Sequence, residues 1–299
     1  MRTKCIIIAQ GRLVKQFSPC LLSTVLSDII MKSINTVLGG SILRRIALMF
    51  LVNFYRVPYY LCKLMWLTSK RKGFDKEKKY AFLHKVIPCA IRGGRVNIKS
   101  FGLENIPKEN GFLMYGNHQG MFDVMTLIYL IDKPFSTLSK KETANVPLLS
   151  RVLSCMNVEY IDRDDVRASL KTIQHVAERV QAGDNFIIYP EGHRSKNSNN
   201  MAPFKPGAFK SATLSKCPII PVALVDSYKP FDVPSIKRTT VYIRFLKPIL
   251  YEEYKDMKTT EISLLVSNRI KEAIGNIEKK AAREASVGSL KKLMNRIHG

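Results

Sequence analysis

Several familiar devices are missing from this chain of 299 residues. Its six cysteines (Cys5, Cys20, Cys62, Cys89, Cys155 and Cys217) are scattered, with no Cys-x-x-Cys and no adjacent histidine pair. That argues against a zinc site or a disulfide framework and points to a reducing compartment. No uninterrupted apolar run reaches the ~18 residues that mark a membrane-spanning helix. The run from Cys5 to Ala9 is too short to be the core of a cleavable signal peptide. The Gly-x-Ser-x-Gly elbow of the α/β-hydrolases is absent. No internal repeat is present. Acidic residues are scarce at the start: the first hundred residues hold 3 Asp/Glu against 19 Lys/Arg, the remainder 21 against 29.

What is present follows from that imbalance. The net charge is +24 and 46% of the residues are hydrophobic, enough for a sizeable core. A basic, apolar first third suits an anionic surface: nucleic acid, an acidic carrier protein or a phospholipid headgroup plane. Residues 1–41 are poorly patterned. Residues 42–92 read as a basic amphipathic helical segment that associates with a membrane, and 93–299 as an α/β domain with a late helix and a basic tail. Within 42–67, Arg45, Arg56 and Lys63 fall on one helical stripe, which Lys70 would continue, beside Phe50, Phe54, Tyr55, Tyr59, Tyr60 and Trp66. A wet basic edge against an aromatic face predicts a helix lying in the bilayer interface, kinked or divided at Pro58. The charged stretch Lys70 to Lys79 reads as an exposed connection, followed by a short helix from Tyr80 to Ile91.

From Val96 the texture alternates. Strands are expected at Val96–Ser100, Phe112–Tyr115, Phe135–Leu138, Val158–Ile161, Phe186–Tyr189, Ile219–Val225 and Val241–Phe245. Helices are expected at Met121–Ile131, Leu148–Met156 and Glu261–Glu278. Another is marked by the stripe Val166, Leu170, Ile173, Ala177, Val180, with Asp164 or Asp165 as its cap. The fold class is therefore α/β, a sheet covered by helices with an N-terminal amphipathic membrane-binding segment. Functional loops belong at the carboxyl ends of its strands.

Two motifs occupy such positions. Asn117-His118-x4-Asp123 follows one expected strand, and Tyr189-Pro190-Glu191-Gly192-His193-Arg194-Ser195 follows another. His-x4-Asp alone is a weak signal. The second motif, in order, strengthens it. A carboxylate on one ring nitrogen of His118 fixes the tautomer and makes the other nitrogen the better base. No serine elbow and no cysteine lies in either motif, which argues against a covalent acyl-enzyme and for activation of a substrate hydroxyl. Gly192 permits close backbone approach. Arg194 is a forked donor suited to phosphate, and Lys140 or Lys141 and Arg163 add positive charge.

Asn117-His118-x4-Asp123, Val158 to Arg163, Tyr189 to Ser195 and Cys217 to Val222 resemble, in order, the four motif blocks of the glycerolipid acyltransferases. The likeness is nearest to the 1-acylglycerol-3-phosphate acyltransferases and covers roughly residues 96–250. The resemblance implies that His118 is the general base and Asp123 its orienting partner. It further implies that Lys140, Arg163, Glu191, Gly192, Arg194 and Ser195 form the acceptor site. Gly120 stands where that family often has serine and His193 where threonine is usual, both beside motif anchors. The activity implied is transfer of an acyl group from acyl-CoA or acyl-carrier protein to the sn-2 hydroxyl of 1-acylglycerol 3-phosphate, giving phosphatidic acid at the cytoplasmic membrane face. Membrane phospholipid and the acyl donor are the expected partners, with no metal, cofactor or nucleic acid. Glycerol 3-phosphate or another lysophospholipid is the alternative acceptor. A basic nucleic-acid-binding protein is the rival from another class, disfavoured because the charge sits among apolar residues.

Overall fold

Three apolar runs supply the middle of a sheet. β2 (Leu113–Gly116), β5 (Phe186–Ile188) and β6 (Ile219–Val225) are buried at every position, as strands covered on both faces must be. They belong to a computed structural model that describes residues 44–69, 75–195 and 198–297. The sequence's extension at 1–41, and residues 70–74 of the charged connection, lie outside these.

With β1 (Val96–Phe101), β3 (Ser136–Lys140), β4 (Glu159–Ile161) and β7 (Thr239–Phe245), the sheet has seven strands in the order β1-β7-β6-β2-β5-β3-β4. Every pairing is parallel except β6 with β7. Five strands therefore bring their carboxyl ends to one edge of the sheet, and β1 and β7 run the other way.

Alternation along the strands divides the core. Met114, Ile187, Ile220, Val222 and Leu224 face one helical layer, while Leu113, Tyr115, Phe186, Ile188, Ile219 and Ala223 face the other. The first layer comprises α1 (residues 44–52), α2 (Val57–Leu67), α3 (Lys76–Gly93), α4 (Phe122–Leu130) and α5 (Pro147–Cys155). The second comprises α6 (Val166–Gln181), α7 (Lys210–Ser215), the short α9 (Tyr251–Tyr254) and α10 (Thr259–Ile297). The short α8 (Lys229–Asp232) sends Phe231 to the first layer.

The expected elements are present, with differences that have physical reasons. The helix expected over 42–67 is divided at residues 53–56, and Pro58 sits in the first turn of α2, where its missing N–H interrupts nothing. Asp165 caps α6, its side chain accepting from the N–H groups of Arg167 and Ala168. Only Ile173, Val176, Ala177 and Val180 of that helix are buried, because the turn carrying Val166 and Leu170 projects past the sheet. α3 begins at Lys76, four residues before the expected Tyr80, and runs through Pro88 to Gly93. α10 is far longer than its apolar stripe: the core ends at Ile277, yet the helix continues to Ile297.

Arg45 departs most from expectation. Its guanidinium does not belong to a wet edge. It is buried at 2% exposure and donates to the carbonyls of Gly94, Ser235 and Lys237. A single side chain thereby ties α1 to the end of α3 and to the loop beyond α8. Replacing it leaves three carbonyls short of a donor. Arg45→Met should cost about 2–4 kcal/mol of stability, read by denaturant unfolding. A loss below about 0.5 kcal/mol, the scale of an ordinary surface change, would show that the guanidinium ties nothing together.

Candidate active site

β2 ends in a buried Asn117, whose amide exchanges two hydrogen bonds with the backbone of Leu224 on β6, at 2.9 and 2.8 Å. The chain then leaves the sheet, passes His118 to Gly120, and enters α4. Asp123 lies in the first turn of that helix and is fully buried. One of its oxygens, Oδ2, faces the imidazole Nδ1 of His118 at 2.7 Å and accepts the N–H groups of Gln119 and Gly120 at 2.8 and 3.0 Å. An ionised carboxylate only accepts, so the Nδ1–H tautomer is selected and Nε2 carries the lone pair. The His118 side chain keeps 19% of its surface exposed. Its ring stacks on Tyr189, centroid to centroid 4.3 Å.

The second motif closes over the first. The Glu191 carboxylate accepts the His118 N–H at 2.7 Å through one oxygen and the Ala202 N–H at 2.9 Å through the other. The His118 carbonyl in turn accepts from the Ser195 N–H at 2.7 Å. Glu191 is fully buried and braces the two loops through these two amides. Burial pushes its carboxyl above the usual range, against the pull of the two amides. Gly192 turns the chain with φ of +73°, and a Cβ there would meet the Lys205 ammonium at 3.0 Å. Arg194 is half-buried and acts electrostatically on Asp232, which flanks Gly120.

Lys140 ends β3 and Arg163 follows β4, and the carboxyl ends of these strands lie on the same edge of the sheet as those of β2 and β5. At ~4.8 Å per strand, these positions stand roughly 10–14 Å from the end of β2, a gap that long basic side chains partly close. Lys140 pairs with Glu142 at 3.2 Å and both side chains are half exposed. Partial desolvation lowers the pKa of the Arg163 guanidinium, against the opposing pull of Glu142, though the residue keeps an exposed surface.

Sequence reasoning missed Gln119, a buried side chain that accepts the Ser227 N–H at 2.7 Å and donates to Asn199 at 2.8 Å. Asn199 continues to Asp226 and to Glu278 of α10. The only signal was a polar residue wedged inside a catalytic motif. An apolar cavity of about 310 Å³ lies between the N-terminal helices and α4–α5, walled by Met49, Phe50, Leu64 and Ile87, with Met121 and Met125 from the chain segment that carries the His–Asp pair. Burial pushes the thiols of Cys155 and Cys217 up to about 11, which leaves them poor nucleophiles at neutral pH.

Residues 97–225 match the acyltransferase family. Over that stretch the chain is similar to the glycerolipid acyltransferases. Over 156 residues the chain is 30% identical to a 1-acyl-sn-glycerol-3-phosphate acyltransferase of Chlamydomonas reinhardtii, covering 51% of this chain and 46% of that protein. It is 29% identical over 187 residues to the Saccharomyces cerevisiae protein of the same name, covering 61% of each chain. The chain spans about half the length, or less, of the first curated relatives it matches. The crystal structure of the 1-acyl-sn-glycerophosphate acyltransferase of Thermotoga maritima shares the fold, with a TM-score of 0.63 over 78% of this chain and 96% of that one, at 19% identity.

The geometry of the Glu191–Gly192 turn generates two expectations. Glu191→Gln replaces one acceptor oxygen with an NH2 facing a backbone N–H. It should cost about 1–3 kcal/mol of stability and lower turnover, because His118 loses its brace. Gly192→Ala should cost about 1–3 kcal/mol through backbone strain. Both are measured by denaturant unfolding. Unchanged midpoints would mean that the turn tolerates an unpaired amide and a forced φ.

Proposed function

We propose that this chain transfers an acyl group from a thioester, acyl-CoA or acyl-carrier protein, to the sn-2 hydroxyl of 1-acylglycerol 3-phosphate, forming phosphatidic acid. The observation that carries the reading is the His118–Asp123 pair at 2.7 Å, with Nδ1 engaged and the ring still accessible. His118 takes the acceptor hydroxyl proton on Nε2 as the oxygen attacks the thioester carbonyl. The tetrahedral intermediate then collapses, the carbon–sulfur bond breaks, and the imidazolium returns the proton to the departing thiolate. Asp123 steadies the imidazolium and stays ionised throughout.

The basic residues at the strand ends are assigned to the acceptor phosphate. Arg194 lies nearest the His–Asp turn in strand order, following β5 beside β2, with Lys140 and Arg163 at the outer strands. The apolar cavity beside α4 is assigned to an acyl chain, since its wall and the base share one loop and helix. Residues 44–67 are assigned to the membrane surface on the cytoplasmic side. Leu51, Phe54, Tyr55, Tyr59 and Trp66 are exposed there, with Arg56 over the Tyr55 ring and Lys63 over the Trp66 ring. Among the described residues no helix is long and apolar enough to cross a membrane.

The test offers purified protein a panel of lysophospholipids and glycerol 3-phosphate with each donor, products identified by mass spectrometry. Phosphatidic acid should dominate. Transfer to a different acceptor would replace this substrate assignment, and no transfer to any would remove the reaction. His118→Ala should fold and lose about 10²–10⁴ in rate. Arg194→Ala and Lys140→Ala should raise the acceptor KM, each contact being worth about 1.5–3 kcal/mol; a rise confined to the donor KM would reverse the phosphate assignment. The double variant Phe54→Glu, Trp66→Glu should lose most binding to anionic vesicles, since each buried aromatic contributes about 1.5–3 kcal/mol. Undiminished co-sedimentation would place the membrane contact elsewhere.

A further inference from the structure

Two buried polar atoms at the base of the site have no hydrogen-bond partner among the described residues: the Tyr189 hydroxyl and the second carboxylate oxygen of Asp123, Oδ1. Such orphans are rare in native proteins, and each calls for an explanation. These two belong to residues on either side of one imidazole. Asp123 grips His118 through Oδ2, and Tyr189 lies flat against the His118 ring, with planes 21° apart. The neighbouring polar groups are already committed. Glu191 holds two backbone amides, Asn117 holds β6, and Gln119 holds Ser227 and Asn199. Burial foremost, with the nearby Asp123 carboxylate adding to it, keeps the phenol protonated far above neutral pH. The hydroxyl is thus a donor without a partner, on the residue that stacks against the imidazole held by an acid with a spare oxygen.

We infer that Tyr189 is a positioning residue for acyl transfer: its ring fixes the plane of His118, and its hydroxyl is available to Asp123 Oδ1 as the imidazole becomes charged. The inference rests on the acyl-transfer reading. When His118 takes the substrate proton, the imidazolium draws the Asp123 carboxylate toward it. A donor reaching Oδ1 at that stage holds the carboxylate's orientation, and the electron-rich face of the phenol ring favours the cation stacked on it. Neither contribution is needed to bind substrate, so both act on turnover.

The test compares full-length wild type, Tyr189→Phe, Asp123→Asn, the double variant, Tyr189→Leu and His118→Ala, with acyl-CoA and 1-acylglycerol 3-phosphate. Tyr189→Phe should retain its Tm, since an unpaired hydroxyl is lost. Its kcat should fall about tenfold, with both KM values unchanged. In the Asp123→Asn background the same substitution should have no further effect, because the hydroxyl acts through that carboxylate. Tyr189→Leu should lose more turnover than Tyr189→Phe, through the missing ring. An unchanged kcat in Tyr189→Phe overturns the inference. So does a lowered Tm with raised KM values, the mark of a packing residue, and so does a full loss added on top of Asp123→Asn. A wild type inactive on every acceptor, or a fully active His118→Ala, instead fails the reaction itself and takes the inference with it.

Discussion

Burying a carboxylate without a cation beside it is expensive, and this site does so twice. Among the described residues neither Asp123 nor Glu191 bonds a lysine or arginine, in a chain that carries 48 of them. Both are held by backbone N–H groups, two for each, and Asp123 also by an imidazole, all of the Asp123 bonds falling on Oδ2. A carboxylate held by amides needs those amides in one place, which dictates the local path of the chain. Residues 118–120 must wrap around the first turn of α4, and residues 190–195 and 198–202 must fold back over them. The helix start also favours the Asp123 charge, because its free N–H groups carry partial positive charge. Holding the acids with amides leaves the basic side chains at the strand ends unpaired with them and available for an anionic ligand.

The sheet topology makes that wrapping reachable. β2 and β5 are neighbours, so the loop after one lies against the loop after the other, although some seventy residues of chain separate them. β6 lies on the other side of β2, and its end supplies Ser227, Asp226 and Asp232. Gln119 links these loops, and Asn199 extends the linkage to Glu278 on the long helix α10. Asp226 adopts φ of +64°, a conformation uncommon for a side-chain-bearing residue. Its backbone N–H donates to Asn199 Oδ1 there, and its carboxylate accepts Lys229, so the strained turn is held from both sides.

Much of this was legible in the sequence because it rests on short-range pattern. Ile219–Val225 reads as a buried strand from its apolar run alone, and the cap Asp165 with its following stripe announces α6. The His–Asp pair is equally local: five residues bring the side chains together once a helix begins between them. What the sequence hid depends on long-range contact. Arg45 has the residue type of a wet edge, and only the carbonyls of Gly94, Ser235 and Lys237, up to 192 residues away, decide that it is buried. Glu191 has the residue type of a ligand contact, but its partners are amides brought by two other loops. The far half of α10 escapes notice because good helix formers and charged residues continue the helix past the apolar stripe that marks its start. The reading of α1 and α2 as an interfacial layer depends on exposure, and the same stripe that suggested it contained one residue that points inward.

The N-terminal helices carry two tasks that pull in different directions. A helix that meets a bilayer must expose aromatics, and a helix that shapes a site must hold its inner face rigid. α1 and α2 separate the two by face. Leu51, Phe54, Tyr59 and Trp66 point outward, while Met49, Leu61, Leu64 and Leu67 are buried. Between that inner face and α4 lies the apolar cavity. On the proposed reading, an acyl chain leaving the membrane reaches the vicinity of His118 through protein that is apolar along that wall, without an aqueous step that would cost about 0.8 kcal/mol per methylene. Arg45 then matters to chemistry as well as to stability. It ties α1 to the loop just beyond Phe231, itself part of the cavity wall, so α1 and that wall are fastened by one guanidinium. A displacement of α1 cannot leave that wall unmoved while those hydrogen bonds hold. The geometry that admits the lipid and the geometry that presents the base are thereby set by the same layer of helices.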